Sequence, residues 1–277
     1  MRPRYEQEFR QHFFSKSFSW PIYYPEMKTQ DKVETATILV IGNEILSGRT
    51  HDSNTNTIAK ELKAKGIHLV EARVISDDIE TIIRHIHELS NASDILITTG
   101  GIGPTHDDMT AEAIAKAFDT QVEIHDEAYQ TLVNYYGSVE EMNPGRTKMA
   151  SVPIGATLID NPVSAAPGFN IGNVYVLAGV PKAMKAMLDN LLPQWQDGDI
   201  IHSISTLCIT AESVIAPLLS QLQKEFPEIE IGSYPQFHQQ TTRVSVVLRS
   251  TDTDLLAVAQ KNLQNLLVSK QIDTLQP

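Results

Sequence analysis

From Thr35 onward, short apolar runs alternate with amphipathic stretches. Thr37–Ile41 (TILVI) is an unbroken apolar run of strand length. The next patterned segment, Thr55–Lys65, places Ile58, Ala59 and Leu62 at helical spacing, and Gly66 predicts a left-handed cap that stops it. Ile67–Ile75 reads as a second strand, Asp78–Ser90 as a helix with Ile79, Ile82, Ile83, Ile86 and Leu89 on one face, and Asp94–Thr98 as a third strand. Helices are expected over Met109–Phe118 and Asp126–Tyr136, then a strand over Val174–Leu177. A helix over Lys182–Leu192 follows, opened by Pro181. This alternation predicts βαβ units and an α/β fold with a mainly parallel sheet.

The pattern breaks at Pro193, Trp195 and Gly198, so residues 35–195 are expected to form one domain and residues 196–277 a second, small α+β domain. In the latter, strands are expected over Ser203–Ile209, Glu228–Ser233 and Thr242–Ser250. Helices are expected over Glu212–Glu225 and Asp254–Leu267, the last with Thr251 or Asp252 as its cap. Residues 1–34 follow neither period, although eight of the 18 aromatic residues fall within the first 24 positions. A second methionine, Met27, stands just before the first strand. The segment is therefore expected to be an N-terminal extension, disordered or an upstream addition, with a docking arm as the rival reading.

Charge narrows the partners. With 22 basic and 34 acidic side chains the net charge is −12, which argues against a nucleic-acid backbone, whose binders need a positive footprint. No apolar run approaches the roughly 20 residues of a membrane span, and the first 30 residues carry charges throughout, unlike a secretory signal. The single cysteine, Cys208, excludes an intramolecular disulfide framework and a cysteine zinc cage and fits a reducing interior. A cytoplasmic protein is expected.

In an open parallel sheet, ligands bind outside the carboxyl ends of the strands. The loop after the third strand, Thr98-Thr99-Gly100-Gly101-Ile102-Gly103-Pro104-Thr105-His106-Asp107-Asp108-Met109-Thr110, carries the strongest signal. Its glycines let backbone approach an anion beside a helix N-terminus. No Lys-Ser/Thr follows them, as it would in a P-loop; Asp107 and Asp108 do. Acids beside a phosphate suggest a divalent cation between them, with hard oxygen ligands suiting Mg or Mn. The bland alternative is that one of these aspartates only caps the next helix. Asp77 and Asp78 leave the second strand toward the same edge, a weaker signal because Asp78 before Ile79 reads first as an ordinary N-cap. Ser47, Gly48, Asp52 and Asn54 in the first loop could hold ribose or phosphate, or be turn and cap residues. Gly179 ends the strand over Val174–Leu177. Arg49, Arg146, Lys148 and Lys182 supply the positive charge near these loops. His51 and His106 read as idle loop histidines, and no nucleophile elbow supports a serine triad.

These residues resemble the molybdopterin-binding domain of molybdenum-cofactor biosynthesis proteins and, more closely, of the competence/damage-inducible CinA-like proteins. The resemblance covers about Thr37–Leu192. It rests on Gly42-Asn43-Glu44-Ile45-Leu46-Ser47-Gly48, Asp52-Ser53-Asn54, the glycine loop through Thr110, Asn161-Pro162 with Ala166-Pro167-Gly168-Phe169, and Gly179-Val180-Pro181. It implies a three-layer α/β/α fold with a site at the carboxyl edge. In activity it implies hydrolysis of the diphosphate in ADP-ribose, or FAD as in FAD synthases, dependent on a divalent cation (Mg, Mn, Co or Ni) and potassium. Asp107 and Asp108 would be metal-binding, with Asp77 or Asp78 assisting. Ser47, Gly48, Asp52, Asn54, Thr99, Gly100, Gly101, Gly103, Thr105, Thr110, Arg146 and Gly179 would contact the ligand. Asn143-Pro144-Gly145-Arg146-Thr147-Lys148 departs from the Asn-Arg-Lys-like stretch of many relatives.

The second domain resembles the KH-like module of CinA-like proteins. Its glycines are limited to Gly198 and Gly232, so the RNA-clamping GxxG is missing, and acids outnumber bases by nine to five after Pro193. Neither the deamidase activity of full-length CinA proteins nor an adenylyltransferase activity is expected of the residues given. Three readings result: a nucleotide diphosphate hydrolase, a molybdopterin binder or adenylyl transferase, and a non-catalytic nucleotide-binding protein. A small-molecule nucleotide or pterin is the expected partner, and a homo-oligomer the expected assembly.

Overall fold

The computed structural model describes residues 32–195, 198–238 and 241–275. Most of the expected N-terminal extension lies outside these residues, but Val33 is buried in the core, so the folded domain begins slightly earlier than Thr35. The first domain comprises β1 (Thr35–Ile41), α1 (Asn43–Leu46), α2 (Asn54–Ala64), β2 (His68–Ile75), α3 (Ile79–Ser90), β3 (Ile95–Thr99), α4 (Thr110–Ala117), β4 (Val122–Ile124), α5 (Asp126–Tyr136), α6 (Pro144–Lys148), β5 (Ser151–Pro153), β6 (Thr157–Ile159), β7 (Gly168–Ile171), β8 (Val174–Leu177) and α7 (Pro181–Leu191). The second comprises β9 (His202–Cys208), α8 (Glu212–Glu225), β10 (Glu230–His238), β11 (Thr241–Ser250), α9 (Thr253–Ser269) and β12 (Thr274–Leu275).

The main sheet has the order β2-β1-β3-β8-β7-β6. Its first four strands are parallel, and β7 and β6 are added antiparallel. Side-chain alternation along the parallel strands divides the core into two halves. Ile38 and Val40 of β1, Ile95 and Ile97 of β3, and Tyr175 and Leu177 of β8 meet Ile58 and Leu62 of α2 and Met184, Met187 and Leu188 of α7. Leu39 and Ile41, Leu96, and Val174 and Val176 face the other way, onto Ile82, Ile86 and Leu89 of α3 and Ala113, Ile114 and Ala117 of α4. The result is a three-layer α/β/α domain.

The local signals for the long elements are visible in place. Gly66 follows α2 at φ +72, Pro181 starts α7, and the Asp78 side chain caps α3 by accepting the Thr81 N–H at 2.9 Å. Asp94 stays out of β3 because its carboxylate accepts the N–H groups of Glu34 and Thr35, at 3.0 and 2.8 Å, pinning the start of β1. Pattern reading misses α1, α6, β4, β5, β6 and β7, which hold only three to five residues each and are too short to show a period. Strand β4 pairs with β5, and β6 with β7, in partnerships only the tertiary fold creates.

In the second domain, a four-stranded antiparallel sheet of order β10-β11-β9-β12 is covered by α8 and α9. Strand β10 starts two residues later than expected and runs on to His238, because its hairpin with β11 pairs every position from Glu230 with Arg249 to His238 with Thr241. Asp252 caps α9 by accepting the N–H groups of Asp254 and Leu255, both at 2.9 Å.

Candidate functional site

The chain runs from β1 outward to β2, then returns to place β3 on the other side of β1. That reversal leaves a crevice where the loops after β1 and β3 diverge. A cavity of about 490 Å³ opens there, lined by Ile41 and Glu44 after β1, Asp77 after β2, Gly100–Gly103, Thr105, Asp107 and Asp108 after β3, Ala178 and Gly179 after β8, and Met149, Asn161 and Ser164 from beyond. A second cavity of about 340 Å³, with Val122, Lys148, Pro167 and Phe169 in its wall, adjoins it and shares Gly101, Ile102, Gly103, Asp108 and Met149.

The glycine loop is held by its own chain. A Cβ on Gly100, at φ +101, would stand 2.1 Å from the Ile41 carbonyl oxygen, so only glycine lets β3 turn over the end of β1. The buried Thr110 hydroxyl donates to the Gly100 carbonyl at 2.9 Å, tying the far end of the loop to its beginning.

Two expected cap roles separate here. Met109 occupies the N-cap position of α4 and no side chain bonds there, so neither Asp107 nor Asp108 caps that helix. Both turn back onto Thr105. Its hydroxyl lies 2.5 Å from Asp107 Oδ1 and 2.6 Å from Asp108 Oδ2, and its N–H donates to Asp108 at 2.8 Å. The hydrogen bond from Thr105, with further help from His106 and Lys148, holds the Asp107 carboxyl below the usual carboxylate range.

Asp77 behaves oppositely. Burial pushes its carboxyl up, outweighing the Asn43 N–H that donates to it at 2.8 Å, and the charges of Glu44, Asp107 and Asp108 add to the rise. Asp77 is therefore electrostatically part of the Asp107–Asp108 group, while Asp78, exposed and bonded to Thr81, is a helix cap with a lowered carboxyl.

The remaining sequence candidates scatter. Asp52 accepts the N–H groups of Asn54 and Thr55, at 3.0 and 3.1 Å, and starts α2. Asn54 is buried and donates to the Gly179 carbonyl at 2.8 Å, joining the loops after β1 and β8. Asp52, Asn54, Thr99 and Gly179 line a small side cavity of about 50 Å³. Ser47 and Gly48 are exposed and line none of these three cavities. Arg146 also lies off them: it pairs with Glu141 at 3.2 Å and covers the Tyr136 ring at 3.9 Å from its centroid.

Glu44 and Ser164 are lining residues that residue-by-residue reading passes over. Glu44 had a signal, since it stands inside the Gly42–Gly48 motif, but an acid in a first helical turn reads as dipole complement. Asn161 is buried and organises its loop, donating to Ser164 Oγ at 2.7 Å and to the Ala166 carbonyl at 2.8 Å.

Among the described residues no three His, Cys, Asp or Glu side chains converge closely enough to hold a metal ion by themselves. Asp107 and Asp108 offer hard oxygens from one loop, beside a cavity with no Lys or Arg among its described lining residues. This donor set fits a divalent cation as a partial site, to be completed by oxygens of a ligand.

Residues 37–197 match the family described as probable molybdopterin binding domain, and residues 201–276 match the FAD synthase middle domain. The chain belongs to the molybdopterin-binding-domain family. It is 34% identical over 234 residues to a protein of Archaeoglobus fulgidus, a match covering 84% of this chain and 98% of that one. It is 30% identical to a putative competence-damage inducible protein of Clostridium acetobutylicum, over 78% of this chain and 54% of that protein. A probable FAD synthase of Caenorhabditis elegans is also 30% identical, over 84% of this chain and 50% of its own length. The chain thus spans about half the length of these last two relatives. The crystal structure of CinA from Thermoplasma acidophilum superposes with a TM-score of 0.55 at 35% identity, over 58% of this chain and 97% of that one. No described helix is long and apolar enough to cross a membrane.

Proposed function

We propose that the protein is a metal-dependent pyrophosphatase that hydrolyses the diphosphate of a nucleotide such as ADP-ribose or FAD. The observation that carries this reading is the cavity at the sheet's carboxyl edge: Glu44, Asp77, Asp107 and Asp108 line it with no base among its described lining residues, beside a loop of three glycines. So many acids repel a bare phosphate and match one that arrives with a cation. Asp107 and Asp108 would hold that cation, Mg, Mn, Co or Ni, with potassium as a second ion. When bound, it would neutralise phosphate charge and polarise the phosphorus–oxygen bond. The glycine loop would fix one phosphate.

Asp77 is the proton acceptor in this scheme, because a carboxyl raised by burial is a stronger base than an exposed one. The oxygen of water bonds to one phosphorus, the bond from that phosphorus to the bridging oxygen breaks so that the other phosphate leaves with that oxygen, and the proton released from water passes to Asp77. Likeness to the probable FAD synthase supports a nucleotide ligand. The family description supports pterin binding and so keeps a second reading, pterin binding or adenylyl transfer in molybdenum-cofactor synthesis, of which it speaks only to the binding. A cytoplasmic homo-oligomer is the setting proposed for either activity. Turnover of ADP-ribose and FAD, with each cation in turn and with or without potassium, is the test. No hydrolysis across that panel would sink the pyrophosphatase reading, and a copurified pterin would favour the second.

A further inference from the structure

A doubly ionised diphosphate added to Asp107 and Asp108 outweighs the charge of one divalent cation, so the site as described is short of positive charge. The walls of the two adjoining cavities contain one Lys or Arg among the described residues, Lys148 at the end of α6. Its ammonium donates to the carbonyl of Thr105, the residue whose hydroxyl and N–H engage Asp107 and Asp108. An ammonium has three donors, and the Thr105 carbonyl takes one. Its charge already reaches the Asp107 carboxyl.

The helix that carries it is fixed against the glycine loop. Asn143 caps α6 by accepting the Arg146 N–H at 3.0 Å, and a Cβ on Gly145 would stand 3.1 Å from the Pro104 carbonyl oxygen, so the backbones are nearly in contact. Met149, the next residue, lines both cavities. The helical turn thus places Lys148 in the wall of the second cavity, which Asp108 also lines, while Arg146 lies over the Tyr136 ring.

We propose that Lys148 contacts the diphosphate of the ligand directly and supplies the positive charge that the carboxylate-lined cavity lacks. The proposal rests on the nucleotide diphosphate reading, but on binding rather than on turnover. The full-length protein and its Lys148→Gln and Lys148→Arg variants would be titrated with ADP-ribose at low and high salt by calorimetry, with melting temperatures taken without ligand. Loss of a charge-assisted hydrogen bond to phosphate should weaken ADP-ribose binding by Lys148→Gln roughly 10- to 100-fold at low salt. The salt dependence should flatten, because the contact that salt screens is gone. Lys148→Arg should stay within about fivefold of wild type, since the charge is kept.

A role limited to tethering Thr105 predicts a lowered melting temperature with an unchanged salt dependence. That outcome, or a Lys148→Gln variant that binds as wild type does, or an Arg variant as weak as the Gln variant, would overturn the assignment. Tight binding without hydrolysis by the wild type would end the pyrophosphatase reading alone, leaving Lys148 to be judged by affinity. Failure of the wild type to bind ADP-ribose at all would overturn the assignment of Lys148.

Discussion

Asp108 folds back onto Thr105, taking its backbone N–H at 2.8 Å and its hydroxyl at 2.6 Å. With Met109, not Asp108, at the N-cap of α4, the carboxylate has no helix to start. Asp108→Asn keeps one acceptor oxygen for Thr105 and removes the negative charge. Turnover should fall on the order of 10²-fold or more if that charge holds the cation. The melting temperature without metal should move by only a few degrees, as expected for a change of about 1 kcal/mol or less in a domain of this size. A well-folded Asp108→Asn protein with full metal-dependent hydrolysis would remove Asp108 from the mechanism.

Asp77 predicts a pH dependence of stability. Its folded carboxyl is raised above the ordinary value of 3.8, so between that value and the folded one the native state holds more protons than the unfolded state. Stability from this group is therefore lost as pH rises through that window, opposite to the trend set by the lowered carboxyls of Asp78 and Asp107. Asp77→Asn removes the penalty. In chelator-treated protein its denaturation midpoint should gain on wild type as pH rises from acid to neutral, and a parallel pair of curves would show that burial of Asp77 is not felt. The same variant should lose turnover through loss of the proton acceptor.

How much of this was readable from the chain depends on element length and on contact range. Strands β1, β3 and β8 announce themselves because both of their faces are buried, which leaves apolar runs such as Thr37–Ile41, whereas the edge strand β2 alternates exposed and half-buried positions up to the buried Ile75. From their order follows the carboxyl edge, and with it the convergence of Asp77, Gly100–Gly103, Asp107 and Asp108 on one cavity. What did not follow is which neighbouring acid points inward. Asp77 and Asp78 are adjacent, yet one is partly buried under Asn43 and the other caps α3. Lys148 and Arg146 differ in the same way, through the turn of α6, a five-residue helix that sequence periodicity cannot resolve.

The division into two domains has its own test. Core residues of the α/β domain run from Val33 to Trp195, and those of the small sheet from Cys208 to Leu267, with none shared. Described links across the junction include the Gly198 N–H donating to the Lys65 carbonyl at 2.7 Å and the Lys32–Asp199 pair at 3.3 Å, both peripheral. A chain ending at Trp195 should unfold cooperatively and bind ADP-ribose within about threefold of the whole protein. Exposed pairs such as Lys32–Asp199 contribute roughly 0–1 kcal/mol. A truncated protein that folds and keeps its assembly state but has lost all ligand affinity would show that the small domain completes the site.

The glycine loop offers a comparison that separates backbone strain from crowding. Gly100 and Gly137 have nearly the same positive φ, +101 and +103, but their surroundings differ. A Cβ on Gly137, which ends α5, meets nothing within 4 Å, whereas one on Gly100 would lie 2.1 Å from the Ile41 carbonyl oxygen. Gly137→Ala should therefore cost only the left-handed conformation, about 1 kcal/mol. Gly100→Ala adds a displacement of β3 from β1 that a packed core resists, and should cost about 3–5 kcal/mol in all. Urea midpoints of the two variants, read with their slopes, measure the difference directly. Because the same displacement moves Asp107 and Asp108 away from Asp77, any Gly100→Ala protein that still folds should also lose activity, while Gly137→Ala keeps it. Equal destabilisation by the two substitutions would mean that the Gly100 turn relaxes freely, and the glycine would then have to be explained by ligand contact instead of by the close approach to Ile41.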